Sequence, residues 1–105
     1  MKLENIFQQL VKQGLCSSGL QFSEQYLGKY KSYYSVIKAT KTQSSTKVLI
    51  NLDFSLQRKI AQLKEESDPD LCSQINVLFD IQKQVHKAIK LRCQLDFDNH
   101  QLTLA

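Results

Sequence analysis

Seven side chains between residues 29 and 47 have the types and spacing to grip a polyanion: Lys29, Lys31, Tyr34, Ser35, Lys38, Lys41 and Lys47. Lysine ammonium groups neutralise phosphates and release their counterions, while Tyr and Ser hydroxyls donate to phosphates or base edges. On a helix, positions 31, 34, 35, 38 and 41 fall on one face at three- and four-residue steps. No acid lies between Lys29 and Lys47. Backed by an apolar side, such a face is what a recognition helix presents to a major groove, with Tyr34 and Ser35 nearest the bases. The alternative is a solvated lysine surface, the ordinary location of that residue. Residues 1 to 47 also lack arginine, the side chain best shaped for bidentate guanine readout.

The elements that must position these residues follow from the flanking sequence. A helix is expected from about Tyr33 to Lys41, with Ser32 as its N-cap and Tyr33, Val36, Ile37 and Thr40 as its packing face. Before it, Ser23 is expected to cap a short helix, with Phe22 and Leu27 as the two ends of a hydrophobic staple. Gly28 ends that helix, because glycine takes a positive φ without a Cβ clash. Tyr26 and Tyr33 are expected in or beside the core, and Tyr30 in the turn. Upstream, Leu3, Ile6, Phe7, Leu10 and Val11 make the stripe of a first helix that stops at Gly14. Leu10 and Val11 are expected to pack on Leu27 and Ile37. The three helices form a helix-turn-helix head over residues 1–43.

The run Phe22, Leu27-Gly28-Lys29, Ser32-Tyr33-Tyr34-Ser35 and Lys38-Ala39 resembles a family of small, uncharacterised bacterial proteins, many of them plasmid- or phage-borne. The resemblance spans about residues 5 to 60 and implies a helix-turn-helix-like core; it implies no particular activity.

Downstream, Thr42 to Thr46 reads as a polar hinge in which Ser44 or Ser45 caps the next helix. Leu49, Leu52, Leu56, Ile60 and Leu63 keep helical period from about Thr46 to Glu66, although Lys47 to Asn51 has some strand character. Asp68-Pro69-Asp70 is a strong start signal: an N-cap, a proline at N1 and an acid suited to the helix dipole. The helix it opens carries Leu71, Ile75, Leu78, Val85 and Ile89, with Lys83, Lys87, Lys90 and Arg92 placed to complement its C-terminus. The short connection makes the pair an antiparallel hairpin over 46–94. Residues 95–105 alternate polar and apolar around Asp98-Asn99-His100, the pattern of a short β-hairpin or, failing that, a frayed tail. Phe54, Phe79, Phe97 and Leu102 are candidates for a partner or dimer interface.

With 105 residues, 42% apolar and 23% charged, the chain fits one domain, 1–105. Three Gly and one Pro favour an all-α protein. Residues 1 to 47 hold seven lysines against two glutamates, whereas the remainder holds seven basic and eight acidic residues. The positive charge therefore sits where the recognition helix is expected. Met1 to Val11 lacks the apolar core of a secretory signal, and no run approaches a membrane span, so a reducing cytoplasm is expected. Cys16, Cys72 and Cys93 are then free thiols in small, largely buried positions, too widely spaced for zinc. No nucleophile–base pair, no metal-ligand spacing and no phosphate-cradling glycine loop is evident; His86 reads as a surface or boundary side chain and His100 as a turn residue.

The sequence thus predicts a cytoplasmic protein that binds double-stranded DNA, a homodimeric transcriptional regulator with no cofactor, no metal and no enzymatic activity. The alternative is a phage or plasmid adaptor or inhibitor that binds protein through the hairpin, with the head as scaffold.

Overall fold

The computed structural model describes residues 2–66 and 68–104, with side chains to Gln94. The described residues form five helices and no strand: α1 (Leu3–Lys12), α2 (Gly19–Gln21, continued by a π turn, Phe22–Tyr26), α3 (Tyr33–Thr40), α4 (Thr46–Glu65) and α5 (Cys72–Leu104). A 3₁₀ turn, Pro69–Leu71, leads into α5. The all-α expectation holds.

The expected β-hairpin is absent, since α5 runs through those residues to Leu104. Alternation of Leu95, Phe97, Leu102 and Leu104 is short enough to fit either period, and helix propagation adds a hydrogen bond per residue where a lone hairpin is marginal. Lys83, Lys87, Lys90 and Arg92 consequently lie in the interior of α5, away from its C-terminal dipole.

The aliphatic stripe of α4 makes most of the core. Val48, Leu49, Leu52 and Leu56 have no exposure, and Leu78, Ile81 and Val85 of α5 face them equally buried. Ile81, outside the expected stripe, takes the buried place between Leu78 and Val85 where the period sets Gln82 as an interruption, and Gln82 is half-buried. Each such side chain gains about 1.5–3 kcal/mol by leaving water. Four further contacts order the two helices in opposite directions: Lys64 over Phe79, Asp53 with both Gln82 and His86, and Ser44 with Arg92.

Capping explains the boundaries. Ser45 Oγ accepts from Val48 N–H, and Asp68 Oδ1 from Asp70 N–H, both at expected caps. Ser18, rather than Ser23, caps α2, accepting from Gln21 N–H at 3.2 Å. The helix therefore begins five residues earlier than the staple pattern indicated. Gly28 (φ +64°) ends it, and Asn51 of α4 donates to the Leu27 carbonyl at 3.2 Å, tying that end to the core.

Candidate nucleic-acid interface

Ser23 determines how α3 sits. Its side chain is fully buried, donating to the Gly19 carbonyl and accepting from the Tyr34 N–H, both at 2.9 Å. Ser32 occupies the N-cap position of α3 yet makes no side-chain cap bond. The cap is supplied instead by a hydroxyl eleven residues earlier in the chain. In α2 the same hydroxyl satisfies a carbonyl where the ladder widens to the π turn, whose bond runs from Leu27 N–H to the Phe22 carbonyl at 3.0 Å. Gly19 permits the approach, since a Cβ there would lie 3.2 Å from the Tyr34 ring.

This geometry turns α3 so that Tyr34 points inward. Tyr34 is only 5% exposed, its ring 4.9 Å from Phe7 and 5.2 Å, edge-on, from Phe22. It was expected nearest the bases; the structure removes it from the outer face because three aromatic rings gain more by packing together than one gains in water. Burial pushes its hydroxyl pKa up, and the Glu4 carboxylate adds to the effect. The packing face is therefore centred on Tyr34, with Tyr33 and Ile37 half-buried, and Val36 and Thr40, expected inside, are exposed. Leu10 and Leu27 are buried as expected, but Val11 is 42% exposed.

The remaining candidates stay at the surface. Lys31, Ser35, Lys38, Lys41 and Lys47 are exposed, and Lys29 is half-buried with its ammonium 5.8 Å from the Tyr33 ring centre. The structure brings Lys38 and Lys41 together at the C-terminal end of α3, where Lys41 ends the helix in a left-handed conformation (φ +54°). Lys29 and Lys31 lie before the other end of α3, and Lys47 lies in the first turn of α4. Lys38 is 3.8 Å from Glu4 of α1.

Beside Lys38 and Lys41 opens a groove of about 650 Å³, walled by the start of α1, α3, residues 42–44 and α5. Lys2 and Arg92 join the two lysines there. The Arg92 guanidinium donates to the Ser44 carbonyl, which brings α5 to the hinge. Sequence reasoning assigned Arg92 to the helix dipole and missed this place. The signal available was register: an antiparallel partner for α4 must return to residue 44 after roughly as many residues as α4 contains.

Of the interface candidates, Phe54 is 61% exposed with Arg58 over its ring, and Phe79 is 39% exposed under Lys64. Ile50 stands one turn before Phe54 and is 52% exposed. Phe97 and Leu102 lie beyond the described side chains, as does His100. His86 is exposed, with Nε2 2.6 Å from Asp53 Oδ1. Cys16 is buried, with its thiol pKa raised by that burial, whereas Cys72 and Cys93 are exposed, contrary to expectation. Among the described residues, no three His, Cys, Asp or Glu side chains gather as metal ligands, and no helix is long and apolar enough to cross a membrane.

The fold and surface define an all-helical protein with a basic N-terminal half. The chain belongs to a family of unknown function, DUF6626, whose profile covers residues 3–98. No curated protein and no solved structure matches it.

Proposed function

We propose that the protein binds double-stranded DNA, with α2 and α3 as a helix-turn-helix and the outer face of α3 against the major groove. The supporting observation is the run of five lysines from Lys29 to Lys47, four of them exposed and uninterrupted by an acid in sequence. Phosphate contacts come from Lys29, Lys31, Lys38, Lys41 and Lys47. With Tyr34 inside, base contact falls to Ser35 and its exposed neighbours Val36 and Ala39, whose apolar groups suit a thymine methyl. In this reading the protein is a non-enzymatic transcriptional regulator of bacterial or mobile-element origin, acting in the cytoplasm as a homodimer.

Fluorescence anisotropy on random and upstream-region duplexes across a salt series tests it. Neutralising five phosphates gives a slope of log K against log salt of about −4 to −5. The double variant Lys38→Glu, Lys41→Glu abolishes binding with an unchanged circular dichroism spectrum. A flat salt dependence, or an unaffected double variant, defeats the reading.

Exposed Ile50 and Phe54 favour a second reading, an interaction module that binds protein through α4. Under it the lysine variant keeps its function, and Phe54→Asp loses it.

A further inference from the structure

The groove beside α3 combines two independent features. The first is charge: among the described residues, Lys2, Lys38, Lys41 and Arg92 face it against the carboxylate of Glu4. Lys2 also gives α1 no side-chain cap; the Asn5 amide donates to the Lys2 carbonyl at 3.1 Å, which leaves those of Leu3 and Glu4 without a partner among the described residues. Free amides and the helix dipole there favour an anion. The second is an orphaned polar atom. Tyr34 lines the groove, and its hydroxyl is buried with no hydrogen-bond partner among the described residues. Leaving such a group unpaired costs about 1–3 kcal/mol, and most buried hydroxyls avoid it.

An oxygen-rich anion satisfies both features at once. A lone inorganic phosphate leaves most of 650 Å³ empty, whereas small-molecule sites span roughly 300–1,000 Å³. We propose that this groove binds a phosphate ester of mononucleotide size, its phosphate held by Lys38, Lys41 and Arg92 and one of its oxygens accepting the Tyr34 O–H. Arg92 suits the role because its planar fork carries five N–H donors, of which the Ser44 carbonyl engages one side. Glu4 is the group to be displaced: its carboxylate lies 3.8 Å from the Lys38 ammonium, and an incoming phosphate takes over that cation. The same chemistry is offered by a nucleic-acid backbone phosphate. The buried position of the hydroxyl selects the small ligand, since a duplex presents its phosphates on a wide, rigid surface.

The inference goes beyond DNA binding and does not rest on it. Calorimetric titration of the full chain with ATP, with pyrophosphate and with a short duplex tests it, using Tyr34→Phe and Arg92→Gln. The wild type binds ATP and pyrophosphate, and each variant loses about tenfold in affinity, the scale of one hydrogen bond to a charged group. Tyr34→Phe melts at or above the wild-type temperature without ligand, because it removes an unpaired hydroxyl, so its loss of affinity is not a loss of fold. Absence of heat with both small probes overturns the proposal, as does wild-type ATP affinity in both variants. Duplex binding that Tyr34→Phe weakens, in a protein that ignores ATP, overturns the small-ligand assignment and gives the groove to backbone phosphate. Failure of the DNA reading is separate: it is a duplex that does not bind while ATP does.

Discussion

The α2–α3 pair and the α4–α5 pair are built by different means. Aliphatic side chains at three- and four-residue intervals hold α4 against α5, with Leu52, Leu56, Ile81 and Val85 fully buried. One hydroxyl and three aromatic rings hold α2 against α3: Ser23 bridges Gly19 and Tyr34, and Phe7, Phe22 and Tyr34 pack together. A repeated stripe keeps its register when any one position changes, because its neighbours carry the same information, even though the loss opens a cavity. A junction that depends on one hydrogen-bonded hydroxyl does not, and its loss frees a rotation rather than opening a cavity.

The largest effect expected from this contrast is in the aliphatic pair. Leu52→Ala lowers global stability by about 2–5 kcal/mol in urea unfolding, with the surface of α3 unaltered in the remaining folded fraction. If amide exchange in α3 accelerates before global unfolding, the two pairs are less separate than described.

Next in size is an alkaline limb in the head. Tyr26 donates to the Leu15 carbonyl at 2.8 Å, and burial, with a smaller push from Cys16, raises its pKa to about 12. A folded pKa above the unfolded value near 10 means that the native state keeps a proton the unfolded chain gives up. Its contribution is complete below pH 10 and is lost as pH rises towards 12, on the order of 2–3 kcal/mol in all. Denaturation midpoints measured across that window fall in the wild type, and fall less steeply in Tyr26→Phe.

The smallest effect separates Ser23, which caps α3, from Ser32, which only occupies its N-cap position. Ser23→Ala leaves the Tyr34 N–H and the Gly19 carbonyl short of a partner and costs about 1–3 kcal/mol. Ser32→Ala, at the formal N-cap, costs about 0.5 kcal/mol or less because its hydroxyl caps nothing. Equal costs at the two positions would break the comparison.

These differences match what could be read in advance. The α4 boundaries, the Ser45 and Asp68 caps and the Gly28 stop follow from local chemistry, and period alone places Leu52 and Leu56 inside. The orientation of α3 does not follow, because Ser23 acts across eleven residues and because Tyr33 and Tyr34 are chemically alike; the Ser23–Tyr34 bond and the Phe7 and Phe22 rings, all distant in sequence, decide which one turns inward. The same limit hid the groove. Its basic wall joins Lys2, Lys41 and Arg92 from distant parts of the chain, and no spacing rule links them. The C-terminal stretch misled for another reason: eleven residues with two alternations satisfy a strand pattern, while the helix preceding them had no stop signal.

The tie between Arg92 and Ser44 spans forty-eight residues, and Gln74 reaches back sixty-one to donate to the Gln13 carbonyl. A ribosome that has released only the first half of the chain has made every lysine of the basic run and none of the α5 side chains that brace it. The groove beside α3 must therefore wait for α5 during synthesis, and Leu49, Leu52 and Leu56 lack their α5 partners in the interval. Its assembly is post-translational in character, since contacts this distant in sequence form late.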